Sequence, residues 1–383
     1  MRQSRRKFIA AAGLGLAAGC LGSGGEQGEG STATEPGTDG DSGGSAGGAT
    51  ETATPTPTST PEPEPSVTDV SLLLNWKPSG LHAPYYAAKA EGFYEEEGLS
   101  LTSIESGQGS DFSAKQAGLG NTAFAITSAD QVLNVNSREL SPVSVGVVMQ
   151  RSPVVVFSTR ETFGGEFTDV SQLDGKTVGT GPGMVRILTR LLLDRAGVLD
   201  SVEIVDTGYD TVQQLLSGKI DAAGGVFGDA VDARAQGHAT DLVQVASQVP
   251  SYGHVIATQG TFAEDHPETT RAFLRATARG AAWAATNPET ATDHLVSAVP
   301  ALSESRDRQR DKWMLMSRDF VLSESVHENG WGWSRSSPWE TMRDALADAD
   351  LLGGSVAPND VWTNDYLDTD SRYIGSYAEM VTE

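Results

Sequence analysis

The chain of 383 residues contains a single cysteine, Cys20. No intrachain disulfide can form, and a zinc site built from thiolates is excluded. Six histidines are scattered along the chain with no pair at helical i, i+4 spacing, so no dedicated metal site is expected. Lysine is scarce. Seven lysines and 20 arginines stand against 51 acidic residues, a formal net charge of −24. No basic patch offsets that charge, which excludes nucleic acid as a partner. An acid-rich, lysine-poor surface suits a protein kept soluble in high salt, where screening weakens self-repulsion. A salt-adapted, halophilic source is the expectation, with a merely acidic exported protein as the alternative. The part expected to fold has no Gly-x-Ser-x-Gly elbow, no His-Glu-x-x-His and no cysteine nucleophile. There is no internal repeat.

Residues 1–20 have the pattern of a targeting segment. Ser4-Arg5-Arg6-Lys7-Phe8-Ile9 is a twin-arginine start, and the apolar run Ile9–Ala18 that follows is too short to span a bilayer. Ala17-Ala18-Gly19-Cys20 resembles a lipobox, with Ala17 where leucine is more usual. The expectation is twin-arginine export and lipidation of Cys20, giving a cell-surface protein anchored by its lipid. Residues 21–66 are Gly, Ser, Thr, Glu and Pro with almost no large apolar side chain. Such a segment buries too little surface to offset its ordering entropy, so it is expected to be a disordered tether.

From Val67 onward strands alternate with helices, which implies an α/β fold. Strands are expected at 69–74, 100–104, 123–127 and 143–149, with helices at about 83–97, 110–117 and 128–137. Gly92 is placed to break the first helix. Further strands are expected at 153–158, 202–205, 219–223 and 253–258, with a turn and then a strand over 173–179, and helices at 184–196, 209–217, 229–236 and 267–286. Two crossings, at 153–158 and 253–258, imply two hinged lobes: residues 67–155 plus 256–383, and residues 156–255.

Candidate ligand contacts sit where strands end, the edge at which open α/β sheets bind ligands. After the first strand come Asn75, Trp76, His82 and Tyr85. After the second come Gly107 and Gln108, and after the third Ser128 and Asp130. In the second lobe the candidates are Gly181 and Met184, then Phe227 and Asp229, and near the return crossing Tyr252. Trp76, Tyr85 and Phe227 are rings that could stack on a flat ligand. His82, Gln108, Ser128 and Asp229 could hydrogen-bond it, and glycines let backbone come close. The bland reading stands beside each of these: core aromatics, structural turns, and helix caps at Ser128 and Asp229. The tryptophans at 331–339 divide in the same way between core and cleft lid.

The stretch Leu74-Asn75-Trp76-Lys77-Pro78-Ser79-Gly80-Leu81-His82-Ala83-Pro84-Tyr85-Tyr86-Ala87-Ala88, with Glu91–Leu99, resembles the SsuA/THI5-like (NMT1/THI5-like) family of ABC-transporter substrate-binding proteins. The similarity extends through Leu173–Gly179, Gly208-Tyr209-Asp210, Leu215–Asp221, Pro267–Pro288 and Thr363–Leu367, or roughly residues 67–370. It is strongest toward binders of thiamine-pyrimidine precursors. Three positions depart from those binders: Ser79 in place of Asn, Gly107-Gln108-Gly109 in place of Gly-Gly-Pro, and Phe227-Gly228-Asp229 in place of an aromatic-polar-Glu set. The resemblance implies a type II periplasmic-binding-protein fold and a monomeric binding component of an importer, with a permease and its ATPase as partners. It implies no catalysis and no cofactor. Other ligands of the family, alkylsulfonates or riboflavin-like molecules, remain open. The family also includes a pyridoxal-phosphate-dependent pyrimidine synthase, whose cysteine-rich motif this chain does not have.

Overall fold

The computed structural model describes residues 63–181, 184–208 and 210–382. The export segment, Cys20 and most of the tether therefore lie outside the described residues, as do Pro182, Gly183 and Tyr209.

Five strands enclose the first core: β1 (Asp69–Leu73), β2 (Ser100–Glu105), β3 (Phe124–Ser128), β4 (Pro142–Val147) and, far along the chain, β10 (His254–Gln259). Their order is β2-β1-β3-β10-β4. β1, β2 and β3 run parallel, and β10 enters antiparallel between β3 and β4. The second sheet, in the order β7-β6-β8-β5-β9, uses β5 (Val154–Thr159), β6 (Thr177–Thr180), β7 (Glu203–Asp206), β8 (Ala222–Val226) and β9 (Thr240–Gln244). The strands anticipated at 153–158 and 253–258 are β5 and β10. Each belongs to a single sheet. The chain passes between sheets just before them, at 148–153 and 245–253.

Those two passages are bonded to each other. Ser152 N donates to Ser251 O at 2.7 Å, and Gly253 N donates to Met149 O at 3.0 Å. Gly253 has to be glycine here. A Cβ on it would lie 2.7 Å from Pro153 Cδ and 2.9 Å from Met149 Cβ.

The helices include α1 (Ala83–Ala90), α2 (Ser110–Gly118), α3 (Ala129–Asn136), α4 (Met184–Arg195), α5 (Thr211–Leu216), α6 (Phe227–Ala235), α7 (Pro267–Thr286), α8 (Arg306–Met316) and α9 (Ser336–Asp348). The helix expected over 83–97 is interrupted at Gly92, whose φ of 75° is left-handed. α7 packs on α1 and carries Phe273, which stacks on Phe124 at 3.8 Å between ring centroids. Trp331 and Trp339 are buried, so both pack into the core, and Trp313 donates its Nε1–H to Ala284 O at 2.8 Å.

Two differences from the sequence reading have physical causes. β8 is displaced to 222–226, taking in Gly224 and Gly225, because those glycines are needed inside the sheet. A Cβ on Gly224 would meet Thr189 Oγ1 at 2.5 Å. β9 was not anticipated because it is a short edge strand with little apolar alternation, Thr-Asp-Leu-Val-Gln. Among the described residues, no helix is long and apolar enough to cross a membrane, and no cluster of three His, Cys, Asp or Glu could hold a metal ion.

Candidate functional site

β1 leaves the sheet at Leu73, and the chain turns sharply at Asn75. The turn is clamped by the loop after β2: Leu74 N donates to Glu105 O at 2.8 Å, Gly109 N to Asn75 O at 2.9 Å and Gly107 N to Trp76 O at 3.2 Å. A Cβ on Gly107 would run into Leu74 O. The close approach that Gly107 permits is therefore to the neighbouring loop. From the other side, Gln309 Oε1 of α8 accepts from Gly80 N at 2.9 Å.

Held this way, the Asn75 side chain sits between two histidines. Its Oδ1 is 2.9 Å from His82 Nε2 and its Nδ2 is 3.0 Å from His254 Nε2. The imidazoles lie nearly parallel, 6.3 Å apart with 9° between their planes. Ser79 N donates to His82 Nδ1 at 3.1 Å. Both rings are buried, and that burial pulls them below the usual histidine range, His82 to about 3 and His254 to about 4. Each is neutral at physiological pH.

His254 borders a cavity of about 340 Å³ at the edge where the two sheets meet. The first sheet and its helices contribute Asn75, Ser110, Asp111, Ser128, Asp130 and Gln131. The second contributes Val154, Val226, Met184 and Val185, the passages contribute Ser152, Pro153, Tyr252 and Gly253, and α9 contributes Met342. Register explains the polar cluster: His254, at the head of β10, pairs directly with Ser128, at the end of β3. The Asp130 carboxyl accepts from Gln131 Nε2 at 2.6 Å, and burial raises its pKa. Asp111 pairs with Lys115 at 3.4 Å, both side chains about half exposed. No lysine or arginine lines the cavity among the described residues. Arg186, in the first turn of α4, is committed to Thr180 Oγ1 at 3.1 Å and Asp206 Oδ2 at 2.8 Å.

Of the sequence candidates, the structure brings Asn75, Ser128, Asp130, Met184 and Tyr252 to the cavity wall. The Tyr252 hydroxyl accepts from Arg335 N at 2.7 Å, and burial pushes its pKa up to about 12. His82 stands one step behind, acting through Asn75. Tyr85 is sealed in the core beside His82, its hydroxyl without a partner among the described residues. Phe227 is wholly buried and stacks on Phe320 at 4.3 Å, away from the cavity. The Asp229 carboxylate accepts from Val226 N at 2.8 Å, closing the first turn of α6. Gln108 is exposed, and Trp76 is 54% exposed; neither borders the cavity. Gly181 approaches the Gly208 carbonyl and also stays off the wall. Sequence reasoning missed His254, Ser152 and Met342. The signal for His254 was a polar residue opening a buried strand directly after Tyr252-Gly253.

The pattern of the family described as NMT1/THI5 like matches residues 80–291. A riboflavin-binding protein from Chloroflexus aurantiacus is 26% identical over 310 residues, covering 79% of this chain and 87% of that protein. A formylaminopyrimidine-binding protein from Halalkalibacterium halodurans is 26% identical over 310 residues, covering 77% and 89%. A pyrimidine phosphate synthase from Legionella pneumophila is 26% identical over 242 residues, covering 61% and 74%. Among solved structures, the periplasmic aliphatic sulphonate-binding protein SsuA of Escherichia coli aligns with a TM-score of 0.59 at 13% identity, covering 77% of this chain and 92% of its own. The periplasmic nitrate-binding protein NrtA of Synechocystis aligns at 0.56 and 12%, covering 83% and 92%. The two-sheet topology is thus that of periplasmic binding proteins, and the chain belongs to the NMT1/THI5-like family.

Proposed function

We propose that this protein is the extracytoplasmic, lipid-anchored binding component of an ABC importer, and that it captures a small, flat, neutral or amine-bearing nutrient between two hinged lobes. The observation that carries this reading is the charge of the cavity. Buried Asp130 borders it, as does Asp111, which is half exposed and paired with Lys115, and no cationic side chain is among its described lining residues. A sulfonate or nitrate would be desolvated there without a positive partner, which is costly. An amino group would find acceptors. The volume also suits a small molecule, at the lower end of ordinary ligand sites. An aminopyrimidine of the thiamine-precursor type meets these demands. The similarity to a riboflavin-binding protein supports a flavin as the second reading.

Binding is proposed in preference to catalysis. A pyridoxal-dependent synthase needs a lysine at the ligand to form its Schiff base, and the cavity wall has none among its described residues.

Titration calorimetry of the purified protein tests the proposal. Aminopyrimidines or riboflavin should bind with micromolar or tighter affinity, about −8 kcal/mol, while alkanesulfonates and nitrate should give no heat. Tight sulfonate binding, silence with every flat heterocycle, or a yellow protein absorbing as bound pyridoxal would each overturn it.

A further inference from the structure

Four groups in a row fix the direction of every hydrogen bond around Asn75. A backbone N–H can only donate, so His82 Nδ1 accepts from Ser79 and carries no proton. The neutral ring must then bear its proton on Nε2, which donates to Asn75 Oδ1. That turns the Asn75 NH₂ toward His254, whose Nε2 must accept. Neutral His254 is therefore left with its proton on Nδ1. Turning the amide over would set its NH₂ against the His82 N–H, so the chain has one polarity.

His254 is 7% exposed, and its Nδ1 has no hydrogen-bond partner among the described residues. This atom is not among the sealed polar atoms that lack a partner. His254 itself lines the cavity.

We propose that the His254 Nδ1–H, oriented through the Ser79–His82–Asn75 chain, is the donor that reads an unprotonated acceptor atom on the ligand: a ring nitrogen or a carbonyl oxygen. This assignment rests on the cavity being the ligand site. It adds a requirement beyond charge. The carboxylate of Asp130 and the hydroxyl of Ser128 accept from the ligand, while His254 demands an acceptor beside the ligand's donor. A heterocycle with an amino group next to a ring nitrogen has that pairing. His82 stands behind the wall and is a positioning residue; Asn75 reaches the wall and also orients His254.

Two measurements test this. The first needs no ligand. Long-range ¹H–¹⁵N spectra of histidine-labelled protein at neutral pH should show His254 with a protonated Nδ1 and a pyridine-like Nε2, and His82 with the reverse. The opposite tautomer of His254, or an imidazolium at either site, overturns the proposal. The second compares 4-amino-5-hydroxymethyl-2-methylpyrimidine with its benzene analogue, in which both ring nitrogens are C–H. The wild type should favour the pyrimidine by about three- to tenfold, the worth of one neutral hydrogen bond, and His254→Phe should bind the two alike. Equal binding by the wild type, or undiminished preference in the variant, overturns the proposal. If neither probe binds the wild type, the functional reading fails and the tautomer spectra still decide the chain. If His254→Phe does not fold, the wild-type comparison and the spectra stand alone.

Discussion

Asn75 is the residue on which the site turns, because its amide bonds to both histidines. Asn75→Asp replaces a donor with a carboxylate between two imidazoles. Both rings should then gain basicity, and NMR titration should move His82 and His254 upward from about 3 and about 4 by at least one unit each. The wild-type histidines also set a pH dependence. Their folded pKa values lie below the usual 6.5, so between about pH 4 and 6.5 the unfolded chain binds more protons than the folded one. Stability should be full above pH 6.5 and fall as pH drops through that window. Asp130 and Asp229, raised by burial, act in the opposite sense, gaining as pH falls. A urea midpoint measured from pH 7.5 to 4.5 should decline. A midpoint that rises over that range would contradict the neutral pair. At this scale the sequence was legible where a residue's position followed from the strand end before it, as for Asn75, Ser128 and Asp130. It was not legible for Phe227 and Tyr85. Apolar spacing marks a ring as inward-facing without saying whether the space beyond it is cavity or core.

The long helix α7 was evident from its proline start, its apolar face and the Asn287-Pro288 stop. What the pattern could not reveal was how closely it lies on α1. A Cβ on Gly280 would meet Ala88 Cβ at 2.6 Å and Pro84 O at 2.7 Å, both on rigid backbone of α1. Gly280→Val should lower the unfolding free energy by about 1–3 kcal/mol through overpacking, outweighing the roughly 0.5 kcal/mol gained in helix propensity. Denaturant unfolding at constant m-value reads this directly, and an unchanged or raised midpoint would refute the tight crossing. The same limit explains β8. Its glycines lie inside the sheet because a side chain has no room there: Thr189 and Thr180 crowd Gly224, and Asp229 and Phe157 crowd Gly225.

Over the whole molecule, the C-terminal segments tie the two sheets together. α8 grips the β1 loop through Gln309 and reaches α6 through Lys312, 3.0 Å from Asp232, while Phe320 stacks on Phe227 just beyond. Charge acts at this scale too. With 51 acidic residues against 27 basic ones, many carboxylates have no cation available, and their repulsion weakens the compact state. Raising KCl from 0.1 to 2 M should raise the melting temperature. Surface pairs such as Arg306–Glu289 will weaken in the same salt, but each contributes only about 0–1 kcal/mol. A melting temperature that falls with salt would show that the pairs outweigh the repulsion.

The alternation of strands and helices and the family resemblance were determined by the sequence, because hydrophobic periodicity, glycine and proline breaks, and the Asn75–Gly98 stretch are local properties. The membership of the wall was decided only in three dimensions. His254 lies 179 residues from Asn75, and no local pattern links them. The antiparallel entry of β10 beside β3 sets its imidazole against an amide at the end of β1, and that contact fixes which proton faces the cavity.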